Sequence, residues 1–161
     1  MFNGAMKGNE MISSLQTKPY MLHSDDAQRL QSLGALVSIL AATEQTGGAF
    51  NLFDVSCPVG FATPLHIHYA EDVVIFVLEG ALTFFLGDKR MEARTGSYFF
   101  QPKGTPHGFR VKSDAPARIL YLAFPAGLDQ FVIEHASQSK RVGVATAAAR
   151  YKIEILGNLP G

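Results

Sequence analysis

Two histidines one residue apart, His66 and His68, are the side chains in this chain best suited to chemistry. Residues two apart on a β-strand point the same way, so a strand here presents two imidazoles on one face. Two such imidazoles are half of a site for a divalent metal. An acidic pair, Glu71 and Asp72, follows within the same stretch, Gly60 to Gly80 (GFATPLHIHYAEDVVIFVLEG). The remaining question is which elements carry this stretch and what completes the site.

The elements read as strands. Val73 to Leu78 is a continuous apolar run, the pattern of a strand covered on both faces. Glu79-Gly80 turns it, and Ala81 to Leu86 (ALTFFL) reads as its hairpin partner. Further short strands are expected at 35–41, 50–55, 90–94, 97–101, 107–112 and 117–124, with Gly or Pro turns between them. Short strands punctuated in this way indicate a sandwich or barrel, not alternating strand–helix units. Residues 19–31 suit a short turn or an edge strand. Beyond Pro125 the periodicity becomes helical: Leu128, Phe131, Val132 and His135 predict a helix over about 127–136. The alanine-rich 144–151 predicts a second. Residues 153–161 should lie extended on the surface. The expected organisation is a flexible arm over 1–18, a barrel over 19–125 and a helical extension over 126–161.

Composition narrows the function classes. Fourteen basic and fourteen acidic residues give zero formal net charge, which does not suit nucleic acid. No apolar run nears the roughly 18 residues that span a membrane, and the N-terminus lacks a signal-peptide core. The single cysteine, Cys57, cannot form an intrachain disulfide, in keeping with a reducing cytoplasm. It reads as a small buried apolar residue.

Gly60-x5-His66-x-His68, the acidic pair and Gly80 resemble the first cupin motif. Gly96-x5-Pro102-x-Gly104-x2-His107 resembles the second, with a short gap between them. The likeness runs over about 36–124 and is greatest to small bacterial monocupins of quercetin-dioxygenase-like type. It implies an all-β fold, a double-stranded β-helix (the cupin jelly-roll barrel), here with short C-terminal helices. It also implies a divalent transition metal (Zn, Fe, Ni, Cu or Mn) held by His66, His68 and His107. The family's glutamate ligand has no counterpart: counting from either flank lands on Val73. Val111 likewise stands where the second motif commonly ends in asparagine. By strand parity Glu71 shares a face with Val73, roughly 6.6 Å nearer the barrel mouth. That makes Glu71 the candidate replacement ligand, outer-shell anchor or catalytic base.

Val73, Gln101 and Phe109 are the candidate substrate-pocket residues, Gln101 because it breaks an apolar strand just before Pro102. By resemblance the chain is expected to be a metal-binding cupin acting on a small organic molecule, with dioxygenase chemistry first. A non-oxidative metal enzyme, or a binding or sensing module that lost its glutamate, are the alternatives. The apolar stretches 131–133 and 153–156 and the strand edges lead to an expected homodimer.

Overall fold

The computed structural model describes residues 17–138 and 141–161; most of the expected arm lies outside them. A single turn at Ser24–Asp26 leads into β1 (Gln28–Ser32), so the stretch read as turn or edge strand holds both. There follow β2 (Ala35–Ala41), β3 (Asn51–Cys57), β4 (Leu65–His68), β5 (Asp72–Glu79), β6 (Ala81–Leu86) and β7 (Lys89–Arg94). Then come β8 (Tyr98–Gln101), β9 (His107–Val111), β10 (Ala117–Phe124), α1 (Leu128–Gln138), α2 (Val144–Ala149) and β11 (Ile153–Gly157). Two antiparallel sheets result, ordered β1-β2-β3-β10-β5-β8 and β11-β4-β9-β6-β7. Their inner faces pack together as a jelly-roll double-stranded β-helix.

Alternation decides what fills the barrel. Val73, Ile75 and Val77 of β5, Phe53 and Val55 of β3, and Ile119 of β10 face inward from the larger sheet. Leu82, Phe84, Phe109 and Val111 answer from the smaller one. Phe84 stacks on Phe99 (centroids 4.2 Å apart) and packs against Phe109 at 5.5 Å. Aromatic pairs at these separations add to the stabilisation from burial alone.

Several expectations are corrected. Ala81–Leu86 is not the hairpin partner of the 73–78 run: β6 lies in the smaller sheet between β9 and β7, whereas β5 pairs with β10 and β8 in the larger one. The apolar run of β5 is not covered on both faces: Phe76 is 39% exposed on its outer side, beside Phe100 at 44% and Tyr98 at 64%. All six apolar positions reflect a buried inner face and a half-exposed outer one. Residues 153–157 do not rest on the surface as an isolated extended segment. They form β11, which pairs with β4 and so completes the smaller sheet: Ile153 lies opposite His68, and Ile155 opposite His66.

The helices are tied to the barrel by polar contacts. Asn51 Oδ1, fully buried at the start of β3, accepts from the amides of Gly127 (2.8 Å) and Asp129 (3.3 Å) at the start of α1. Asp129 in turn accepts from the amide and hydroxyl of Thr43 in the β2–β3 turn (2.8 and 2.5 Å). These bonds satisfy amides that a helix N-terminus leaves unpaired. They fix α1 so that Leu128, Phe131 and Val132 face the barrel. His135 is also buried there, its Nδ1 3.2 Å from Ser32 Oγ.

Candidate metal centre

His66 and His107 are directly opposed across the β4–β9 ladder. His68 lies two residues further along β4 on the same face. One ring nitrogen from each histidine comes within 4.8 Å of the others. The sequence placed two of these imidazoles on one strand and took the third from the second motif; the fold brings all three together.

Each ring is aimed by a partner for its other nitrogen. His66 Nδ1 lies 2.8 Å from the Pro64 carbonyl and His107 Nδ1 2.8 Å from the Thr105 carbonyl. The same device, a carbonyl two residues earlier, thus recurs at the start of β4 and of β9. His68 Nδ1 lies 3.2 Å from Glu71 Oε2. A carbonyl or carboxylate accepts, so Nδ1 carries the proton and Nε2 keeps its lone pair. Burial, with His107 and His68 as neighbours, pushes the His66 pKa down to about 3; burial brings His107 to about 4. Both rings are therefore neutral near pH 7, the state a metal requires.

The loops carry as much of the design as the strands. Gly108, next to His107, has no room for a Cβ: one would come 2.8 Å from Thr63 Oγ1 and 2.9 Å from the Pro64 carbonyl. That close approach lets the segment before β4 lie on β9 and deliver the carbonyl that holds His66. The amide of Gly104 donates to the His68 carbonyl (2.7 Å), and Gly104 adopts φ +80°, which favours glycine. Asp72 accepts from the Lys103 amide at 2.8 Å. The acidic pair therefore divides its work. Asp72 fastens the second-motif loop, while Glu71, only 4% exposed, turns inward to His68. Of the three roles open to Glu71, its geometry is that of an outer-shell anchor.

A cavity opens beside the histidines. Phe53, Phe61, Phe109, Ile75, Ile153 and Ile155 form much of its wall, and Leu128, Phe131, Val132 and Val144 of the helices close one side. Gln101 and Phe109 line it; Val73, although fully buried, does not. Val73 sits behind this wall, opposite Gln101 across the β5–β8 ladder. Neither side-chain polar atom of Gln101 has a protein hydrogen-bond partner among the described residues, although the residue is 1% exposed. Such atoms cost about 1–3 kcal/mol each when left unpaired, so they mark a surface meant to meet something polar. Among the described residues, no lysine or arginine lines the cavity.

One lining residue escaped the sequence reading. Tyr121 of β10 projects inward opposite Ile75 and places its hydroxyl 3.4 Å from His68 Nε2. Parity with inward Ile119 and Ala123 would have placed it inside, but the surrounding run ARILYLAF reads simply as core. Burial and the Glu71 charge hold its phenol above the usual range, so it is a neutral donor here.

The donor set fits a divalent transition metal. His107 Nε2 is buried without a hydrogen-bond partner among the described residues, and it shares its aim with two further imidazoles. Three neutral nitrogens suit zinc, copper, nickel or iron.

A jelly-roll barrel with a histidine cluster inside it is the architecture of a cupin, and residues 53–123 match the family model described as "Cupin domain". The chain thus carries a cupin domain over these residues. Among curated proteins it is 32% identical over 103 residues to quercetin 2,3-dioxygenase of Bacillus subtilis (strain 168), covering 64% of this chain and 31% of that one. The chain thus spans about a third of that relative's length. Among solved structures, the polyketide cyclase RemF from Streptomyces resistomycificus superposes with a TM-score of 0.58 and 25% identity. That match covers 66% of this chain and 80% of the cyclase. KdgF from Halomonas sp. gives 0.61 with 20% identity, over 69% and 99% of the two chains, and is evidence for the fold alone.

Proposed function

We propose that this cupin is a metal-dependent enzyme acting on a small, uncharged organic molecule, with quercetinase-like dioxygenase chemistry as the leading reading. The observation that carries it is the convergence of His66, His68 and His107, each with its Nδ1 already engaged, at the head of an apolar cavity. When bound, a divalent ion would supply Lewis acidity toward a substrate oxygen and open positions for small ligands. The residues do the rest. Glu71 keeps His68 in the tautomer that binds, and the phenylalanine-rich wall excludes water and holds an apolar substrate body. Gln101 offers one donor and one acceptor to the substrate's polar edge. Away from the metal, a wall without lysine or arginine among the described residues would leave a carboxylate or phosphate unpaired, which is costly. The similarity to quercetin 2,3-dioxygenase supports an oxidative reaction. Val73, an apolar residue where relatives are expected to place a carboxylate, supports a second reading: a binding or sensing module without catalysis. A non-oxidative metal enzyme is the third.

Elemental analysis of protein purified without chelator or affinity tag tests the proposal, followed by oxygen uptake with uncharged enol and catechol probes. One bound transition-metal ion per chain, largely lost in His66→Ala, His68→Ala and His107→Ala, is expected. Equal metal content in parent and variants removes the site. No uptake at any supplied concentration leaves the binding module. Metal without oxygen consumption on any probe points to the non-oxidative enzyme. In the same reading the protein works in the cytoplasm as a homodimer.

A further inference from the structure

We propose that the Tyr121 phenol oxygen is the fourth protein ligand of this centre, supplying the negative charge that three imidazoles lack. The inference rests on the metal reading above and adds a ligand to it.

Charge sets the need. Three neutral imidazoles leave the double charge of a divalent ion without an anionic ligand; Glu71 offsets it only from beyond His68, and a poorly compensated buried charge is costly. Position 73 cannot offset it, being a fully buried valine. The neighbouring strand can. On β10, Ala123 is the direct cross-strand partner of Val73, and Tyr121 lies two residues along, opposite Ile75. Residues two apart share a face, and unlike Val73 the phenol lines the cavity, beside His68.

Geometry sets the place. The Tyr121 oxygen is 3.4 Å from His68 Nε2, long for an O–H···N hydrogen bond. Two donor atoms that each sit about 2.0–2.2 Å from one ion are separated by roughly 3–4 Å, so the spacing is that of two ligands of a single ion. Glu71 occupies Nδ1 of His68, so the lone pair on Nε2 points toward the phenol. That lone pair serves either the tyrosine proton or a metal, not both. Among the described residues the Tyr121 hydroxyl has no other hydrogen-bond partner. Phe53 packs edge-on against its ring at 6.1 Å, which fixes its aim. When the ion binds, an oxygen–metal bond forms, the phenol proton passes to solvent, and the metal keeps its oxidation state. The net charge of ion plus protein ligands falls from two to one.

Copper(II) is the probe, because a phenolate bound to it has a charge-transfer absorption that imidazole and carboxylate ligands lack. Stoichiometric copper added to the metal-stripped parent should produce a visible band, with tyrosinate ring modes enhanced in the resonance Raman spectrum. Tyr121→Phe deletes one hydroxyl from the cavity wall and should melt as the parent does. It should lose the band and bind copper on the order of 10- to 100-fold more weakly, at least the penalty for losing an outer-shell partner. Copper bound by the parent without the band, or a band that survives in Tyr121→Phe, overturns the assignment while leaving the metal reading intact. Failure of the parent to bind copper or any other ion defeats the metal reading, and the assignment falls with it.

Discussion

Glu71 shows how much one side chain's direction changes its chemistry. Its carboxylate meets Nδ1 of His68 just before β5, so it is placed to orient that ring. Glu71→Ala should weaken divalent metal binding by roughly 10- to 100-fold. Glu71→Gln, whose amide oxygen can still accept, should lose much less. A metal titration that finds the two variants equal would remove the anchoring role. The histidines make a second prediction, about pH. His66 and His107 have folded pKa values of about 3 and 4, below the ordinary 6.5. Between those limits the unfolded chain binds protons that the folded one refuses, so stability falls as pH drops below about 6.5 and is complete above it. The slope is at most about 1.4 kcal/mol per pH unit for each ring. Melting the metal-stripped protein at pH 7.5 and pH 5 checks this against His66→Gln and His107→Gln, which should lose less on acidification. Identical losses in parent and variants would place the acid sensitivity elsewhere.

At the scale of elements, β9 is the piece on which the site turns. It supplies His107, and its Gly108 makes room for the strand-entry segment that holds His66. Gly108→Ala would drive a methyl group into Thr63 and the Pro64 carbonyl, and the carbonyl is backbone with little freedom to yield. We expect a lower melting temperature, by roughly 1–3 kcal/mol of overpacking, together with weaker metal uptake. Unchanged uptake in a folded variant would separate Gly108 from the site. The histidines, the motif glycines and most strands were legible in the sequence, because spacing and turn residues act locally. What was not legible depends on distant pairing. The five residues of β11 carry no strong alternation and become a strand only because β4 presents a free edge. Tyr121 looked like core because its function lies in the empty side of the barrel it faces. The run 73–78 gave no hint that Phe76 would face outward, since an apolar residue on either face reads alike.

At the scale of the whole molecule, an apolar surface is left uncovered among the described residues. Residues 131–132, which entered the argument for a homodimer, are buried against the barrel, so they no longer support association. Phe76, Tyr98 and Phe100 do, side by side on the outer face of β5 and the edge strand β8. Exposed apolar patches of this kind mark interaction surfaces. A homodimer through that face should appear by light scattering at micromolar concentration, and the Phe76→Glu, Phe100→Glu double variant should run as a monomer. A parent that is monomeric throughout, or a double variant that still dimerises, defeats this placement.

The two halves of the cavity come from different parts of the chain. Strands β4 and β9 and the residue before β5 carry the three histidines and Glu71, whereas Leu128, Phe131, Val132 and Val144 close the far wall from the two helices. The polar ties of α1 lie at its first turn, through Asn51 and Asp129, and near its end, through His135 and Ser32, so the apolar residues it turns inward are not among the groups that anchor it. Selection, or a designer, can therefore enlarge, narrow or reshape the room for the guest by rewriting four helix positions, leaving the inorganic chemistry untouched. A scaffold divided in this way can acquire new substrates by changing its wall while keeping one centre.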